Sequence, residues 1–258
     1  MTTSWEADSL MTAQSHNLDR YRHNFLRQVV CELRFPTLLE LGAQRPPAAF
    51  VSALRKEYPH LELGNEVALI IGGASTGGPA YAHIFRSSKQ TWTVSLKQST
   101  VTIETIAYTT YAQLKERVGR VVEAAAKVID SDFFTRIGLR YVNVINAHND
   151  PVRGWVNPEL VQPLLSGVFG GVHEYAGRLH LAATDGGCLL QHGIQLKKPQ
   201  PGEEAVPDYV LDIDAFRNDV PIGDVASALD AMHRQAFDVF DWCLGQEARQ
   251  HLSSEKSK

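Results

Sequence analysis

The chain has 258 residues, 44% hydrophobic and 21% charged, which is enough to bury a core in one large or two small globular domains. A net charge of -4 argues against a general binder of the nucleic-acid phosphate backbone, so nucleic acid is not an expected partner. Cys31, Cys188 and Cys243 form no CxxC pair and suit free thiols in a reducing cytoplasm. No apolar run approaches the roughly 20 residues that span a bilayer. The N-terminus lacks the basic-then-apolar pattern of a signal peptide. A cytoplasmic protein without a membrane partner is expected.

Residues 1–20 are polar and aperiodic and are expected to form a disordered leader. Residues 25–35 alternate as a strand that Pro36 ends. Pro46 and Pro47 suit a helix start, and Phe50, Val51, Leu54 and Tyr58 then follow at helical spacing. Residues 67–71 form an apolar run of strand length. Residues 72–79 (GGASTGGP) read as a loop. Residues 81–86, 91–98 and 100–108 carry the Thr, Val, Ile and aromatic content of strands. Trp92, Val94 and Leu96 alternate with polar neighbours, which predicts a half-buried antiparallel sheet. Residues 110–129 form a long helix with an apolar stripe of Leu114, Val118, Val121, Val122, Ala125 and Val128.

Residues 133–144, FFTRIGLRYVNV, have the clearest strand pattern. Ile137, Leu139, Tyr141 and Asn143 share one face; Arg136, Gly138, Arg140, Val142 and Val144 share the other. Residues 158–165 suit a short helix. Residues 172–183 and 187–196 read as strands joined by a hairpin turn at Thr184-Asp185-Gly186-Gly187. Residues 197–208 are a proline-rich loop, 209–216 a strand, and 225–245 a second long helix. Residues 248–258 are expected to be a disordered tail.

The order of elements repeats in kind. It predicts an α+β fold: a duplicated strand-helix-strands-long helix unit, with halves at 21–130 and 131–247 making one structural unit. The expected form is a large antiparallel sheet with its long helices on one face, saddle-like or helix-grip-like. The likeness to the TATA-binding protein saddle is one of element order and carries no function.

Candidate chemistry is sparse. GGASTGGP lacks the GxxxxGK[ST] and GxGxxG spacings, and a strand follows it rather than a helix, so no phosphate cradle is expected. His180 and His192 could face each other across the hairpin near Glu174 or Asp185. A zinc site needs three or four converging ligands, so no metal is expected. Asp212 and Asp214 share a strand face, with Asp208 nearby; they could bind a cation or act as an acid–base pair, but pairing with Arg136 and Arg140 is the plainer reading. Gly138 opens space between those two arginines, where a carboxylate or phosphate could sit. Trp155, Leu160, Leu164, Leu165 and Phe169 could form an exposed partner-binding patch, with core packing as the competing reading. No GxSxG, HExxH or Cys–His pairing is present, and no cofactor is expected.

VVCELRFP, PAAFVSALRKEYP, TIETIAYTTYAQLKERV, FFTRIGLRYVNVI and YVLDIDAF occur in that order. Together they resemble a sporadically distributed family of uncharacterised bacterial proteins of about this length, over residues 21–246. RIGLRYVN is the most specific part. The resemblance implies an accessory or stand-alone cytoplasmic protein, with a distribution like that of mobile or defence-linked genes. It carries over no catalytic residue.

The leading expectation is a non-enzymatic protein- or peptide-binding component, antitoxin-like, chaperone-like or a phage-defence accessory, with a homo-oligomer left open. The alternative is an enzyme that binds a small molecule or nucleotide phosphate through Arg136, Arg140, Asp212 and Asp214. A nucleic-acid saddle using Arg86, Lys89 and Lys97 is disfavoured by the acidic balance.

Overall fold

A computed structural model describes residues 10–12, 14–18, 20–66, 80–146, 152–196 and 207–254. The expected strand at 67–71, the glycine-rich loop at 72–79 and most of the proline-rich loop lie outside the described residues.

Among the described residues the fold is α+β, with nine strands in an antiparallel sheet and five α-helices. The elements are β1 (Leu26–Arg34), α1 (Ala48–Leu54), β2 (His60–Glu66), β3 (Ala80–Arg86), β4 (Trp92–Leu96), β5 (Thr100–Thr105), α2 (Tyr111–Ala125), β6 (Phe133–Ile145), α3 (Pro158–Leu165), β7 (Tyr175–Ala183), β8 (Gly186–Leu196), β9 (Pro207–Pro221), α4 (Val225–Cys243) and α5 (Gln246–Ser253). The strand order is β2-β3-β4-β5-β1-β6-β9-β8-β7. No helix among the described residues is long and apolar enough to cross a membrane.

The chain forms two compact units that exchange segments. One comprises 28–139 and 216–230; the other comprises 1–27, 140–215 and 231–258. Strands β6 and β9 and helix α4 each contribute to both.

In the unit built on 28–139, β2 to β5 and β1 pair antiparallel in sequence, β5 closing on β1 with Cys31 opposite Ile103. Val29, Cys31, Leu33, Val94, Leu96, Val101 and Ile103 are buried, as alternation on a half-covered sheet requires. Thr93 is buried too, so β4 is less two-sided than its sequence suggests. Helix α2 starts where the Thr110 hydroxyl accepts a hydrogen bond from the Gln113 N–H at 3.3 Å. Its stripe of Leu114, Val118, Val121, Val122 and Ala125 is buried. Strand β2 was not expected from the sequence. Among the described residues it stands at the end of the strand order, and its Leu61 and Leu63 stay exposed.

His83 on β3 is fully buried. Its Nε2 lies 3.1 Å from the Leu41 carbonyl, and among the described residues no hydrogen bond reaches its Nδ1. Burial lowers its pKa below the ordinary 6.5, because the charged imidazolium would lose its hydration. Burial lowers His192 of the other unit in the same way. Both folded pKa values lie below the unfolded one, so the unfolded chain binds protons first as the pH falls. The stability these neutral rings contribute is complete above about pH 6.5 and is lost as pH falls from there toward the folded pKa values. Each ring adds a slope of at most about 1.4 kcal/mol per pH unit. In urea unfolding between pH 5.5 and 7.5, His83→Gln should flatten this slope. A wild-type slope in the variant would contradict it.

In the other unit, β7 and β8 pair from Tyr175↔Ile194 to Ala183↔Gly186, leaving Thr184 and Asp185 as the turn. Met232, Ala236, Val239 and Cys243 of α4 are buried. Two terminal expectations are corrected here. Residues 248–253 of the expected tail belong to helix α5, held by buried Ala248 and Leu252. The described part of the expected leader is docked on α4. Ser15 Oγ donates to Asp241 at 2.9 Å, Asn17 Nδ2 at 3.3 Å, and the Tyr21 hydroxyl also donates to it. Arg249 Nη1 donates to the same carboxylate at 3.0 Å. Burial, with Asp241 beside it, raises the Tyr21 phenol above its ordinary pKa and keeps it a donor.

Candidate functional site

The sequence singles out four polar residues; the structure pairs Arg140 with Asp212 and brings Arg136 to Glu32. Parity on β6 puts Ile137, Leu139, Tyr141 and Asn143 in the core and turns Arg136 and Arg140 away from it. Arg136 Nη1 lies 3.4 Å from Glu32 Oε1, and its guanidinium stacks 4.9 Å over the Phe216 ring. The space at Gly138 is filled by that guanidinium: a Cβ there would sit 2.5 Å from Arg136 Nη1. Arg140 instead forks onto Asp212, with Nε at 2.7 Å and Nη2 at 2.5 Å. The Asp212 bond raises the Arg140 pKa, and the charges of Asp212 and Asp214 act in the same sense. These are sheet-bracing contacts. Both bonds to Asp212 use the Nε–Nη2 edge of Arg140.

The histidine pair expected across the hairpin does not form, because the register places His192 opposite Gly177 and His180 opposite Leu189. His192 Nδ1 instead meets the Tyr209 hydroxyl at 2.7 Å. Among the described residues no three of His, Cys, Asp and Glu gather as a metal site.

The apolar segment divides. Trp155 packs its ring against Phe25 (centroids 6.2 Å) and His251 (5.7 Å). It is braced by the Val156↔Leu244 bridge and by the Gly245 N–H donating to its carbonyl at 2.9 Å. Helix α3 begins at Asn157, whose side chain accepts from Glu159 N–H at 3.0 Å and donates to the Trp242 carbonyl at 2.8 Å. Leu160 and Val161 are buried, and the Tyr175 hydroxyl ties β7 to the Leu160 carbonyl at 2.6 Å. Trp155 and Leu160 are therefore packing residues.

Beyond them the chain turns outward. Pro163 removes an N–H from α3, and Ser166 closes the helix by donating its hydroxyl to the Pro163 carbonyl at 2.8 Å. Gly167 and Gly171 adopt φ of +69° and +65°, a left-handed conformation that side chains resist. Between and beside them Leu165 is 39% exposed, Val168 76%, Phe169 64% and Val172 38%. Leu164 is half-buried. Strand β7 follows at the end of the strand order. Its odd positions, Tyr175, Gly177, Leu179, Leu181 and Ala183, make an apolar face on which Leu179 is 44% exposed. Its even positions, Ala176, Arg178, His180 and Ala182, are all exposed.

So Leu165 and Phe169 of the expected patch lie at the surface, with Leu164 beside them. Val168, within the apolar run 160–169, is exposed beside them; Val172 and Leu179 are exposed as well and were not picked out from the sequence. Their signal was the run of apolar residues between glycines. Comparison with protein-family models, with curated proteins and with solved structures finds no match for this chain.

Proposed function

We propose that the protein is a non-enzymatic binding component that holds an extended segment of a protein partner on segment 165–172 and strand β7. The observation that carries this reading is the run of exposed apolar side chains, Leu165, Val168, Phe169 and Val172, leading into a strand at the end of the sheet order. Isolated surface leucines are ordinary; several within eight residues mark an interaction surface. An edge strand also presents backbone N–H and C=O groups that an added strand can pair. Apolar residues of the added strand would lie along Leu179 and Leu181, and acidic ones beside Arg178.

The internal order supports a duplicated architecture. In each half the first strand (β1 or β6) is followed by a short helix, and then by strands that return so that the last (β5 or β9) pairs beside the first. A long helix (α2 or α4) closes the half.

The test uses the tagged full chain, purified from its native host at physiological salt. Wild type should retain a partner in fixed ratio. The double variant Val168→Asp, Phe169→Asp should retain none, since two carboxylates cannot be buried unpaired in an apolar contact. Its thermal midpoint should match the wild type, because both side chains are solvent-facing. Equal retention by both chains would overturn the reading, as would a partner-free wild type with measurable turnover.

A further inference from the structure

A second surface feature lies in the unit built on 28–139. The β3–β4 turn and the N-terminal half of α2 border a cleft of about 470 Å³. The turn is internally bonded. Ser87 N–H donates to the Trp92 carbonyl at 2.9 Å, Trp92 N–H to Ser87 Oγ at 3.1 Å, and Gln90 N–H to the Ser87 carbonyl at 2.8 Å. Gln90 adopts φ of +54° to close it. This holds Lys89 at the cleft wall. Opposite, Gln113 and Arg117 project from one face of α2, four residues apart. The Arg117 guanidinium lies 4.6 Å over the Trp92 ring.

The cleft presents chiefly donors. Thr109 Oγ1 lies 2.8 Å from Gln113 Oε1, which occupies the amide oxygen and leaves the Gln113 NH₂ unbonded among the described residues. Glu57 is the carboxylate of the lining. It is matched by Arg117 at 3.3 Å and by Arg120. Lys89 makes no ion pair among the described residues, so its charge is left over. Ser88 and Thr91 add hydroxyls. The positive end of a 15-residue helix adds to the same sign.

We propose that this cleft binds a small phosphate monoester. Lys89 and the Gln113 amide take the phosphate oxygens, and the remaining volume takes a hydroxylated remainder against Ser88 and Thr91. A point charge on a flexible stem, beside neutral donors, suits a compact oxyanion. The site belongs to the other unit from segment 165–172 and does not depend on the protein-binding reading.

The test is calorimetric titration of the full chain at low salt with glycerol 3-phosphate, glycerol and glycerate. The phosphate ester should saturate, glycerate should bind more weakly, and glycerol should not bind. Lys89→Met removes one charge-assisted contact and should weaken the ester between about tenfold and a hundredfold. Lys89 is exposed, so the variant should fold as wild type. Gln113→Leu, a second and independent variant, should also weaken the ester. Absence of saturation by the ester, unchanged affinity in Lys89→Met, or glycerate bound as tightly as the ester would each overturn the proposal.

Discussion

Replacing Asp241 by alanine is expected to cost about 3 kcal/mol and to release the segment around Ser15, Asn17 and Tyr21 from α4. The carboxylate is 9% exposed and carries donors from two parts of the chain: Ser15, Asn17 and Tyr21 of the N-terminal segment, and Arg249 of α5, which also donates to the Leu244 carbonyl. One substitution therefore orphans several polar groups, where an exposed pair would lose little. Asp241→Asn should cost less, because one oxygen still accepts, yet it loses the charge that Arg249 answers. Urea unfolding measures the cost, and limited proteolysis near Tyr21 measures the release. A variant with wild-type midpoint and wild-type protection would show that the N-terminal segment is held by other contacts.

Gly193→Ala is the second large effect. Gly193 on β8 pairs with Ala176 on β7. A Cβ there would sit 2.1 Å from the Tyr175 carbonyl oxygen and 3.0 Å from the Ala176 Cα. Both are backbone atoms, so no rotamer change relieves the clash and the strands must part. A cost of about 3 kcal/mol is expected, with faster amide exchange along β7. Partner retention should fall as well, although residue 193 is buried and touches nothing outside. Ordinary protection of β7 in this variant would contradict the role given to the hairpin. The comparison with Val168→Asp, Phe169→Asp is useful because that variant should lose binding without losing stability.

Strand β6 was legible because its chemistry follows its geometry. A strand covered on one face must alternate, and Ile137, Leu139, Tyr141 and Asn143 do. The same parity put Arg140 and Asp212 on faces from which they could meet. Strand β2 was not legible. Leu61 and Leu63 alternate for only two periods, remain half-exposed at the edge, and are followed by Gly64 and Asn65, which strands disfavour. Helix α5 was missed because its buried stripe is short: Ala248 and Leu252 at i and i+4 in a polar sequence. The docking of Ser15 and Tyr21 carried no periodic signal at all, since it rests on hydrogen bonds to a residue more than 200 positions away.

The candidate site shows the same division. That residues 160–169 were apolar was plain, but which of them would face solvent was not. Trp155 finds Phe25 and His251, and the Leu160 carbonyl accepts from the Tyr175 hydroxyl; these are long-range facts. The glycines at 167 and 171 were visible, and they turn the chain outward at Val168 and Phe169. Leu179 was not suspected because a leucine in a strand reads as core until the strand is seen to stand at the end of the order of the described strands.

The most direct test of the binding surface is site-specific photo-cross-linking in the native host, with benzoylphenylalanine placed at Phe169 and, in a separate chain, at exposed Ala226 on α4. A discrete adduct to another protein from position 169, competed by untagged wild-type chain and absent from position 226, is the predicted result. No adduct at 169, or the same adducts from both positions, would contradict a partner seated on segment 165–172.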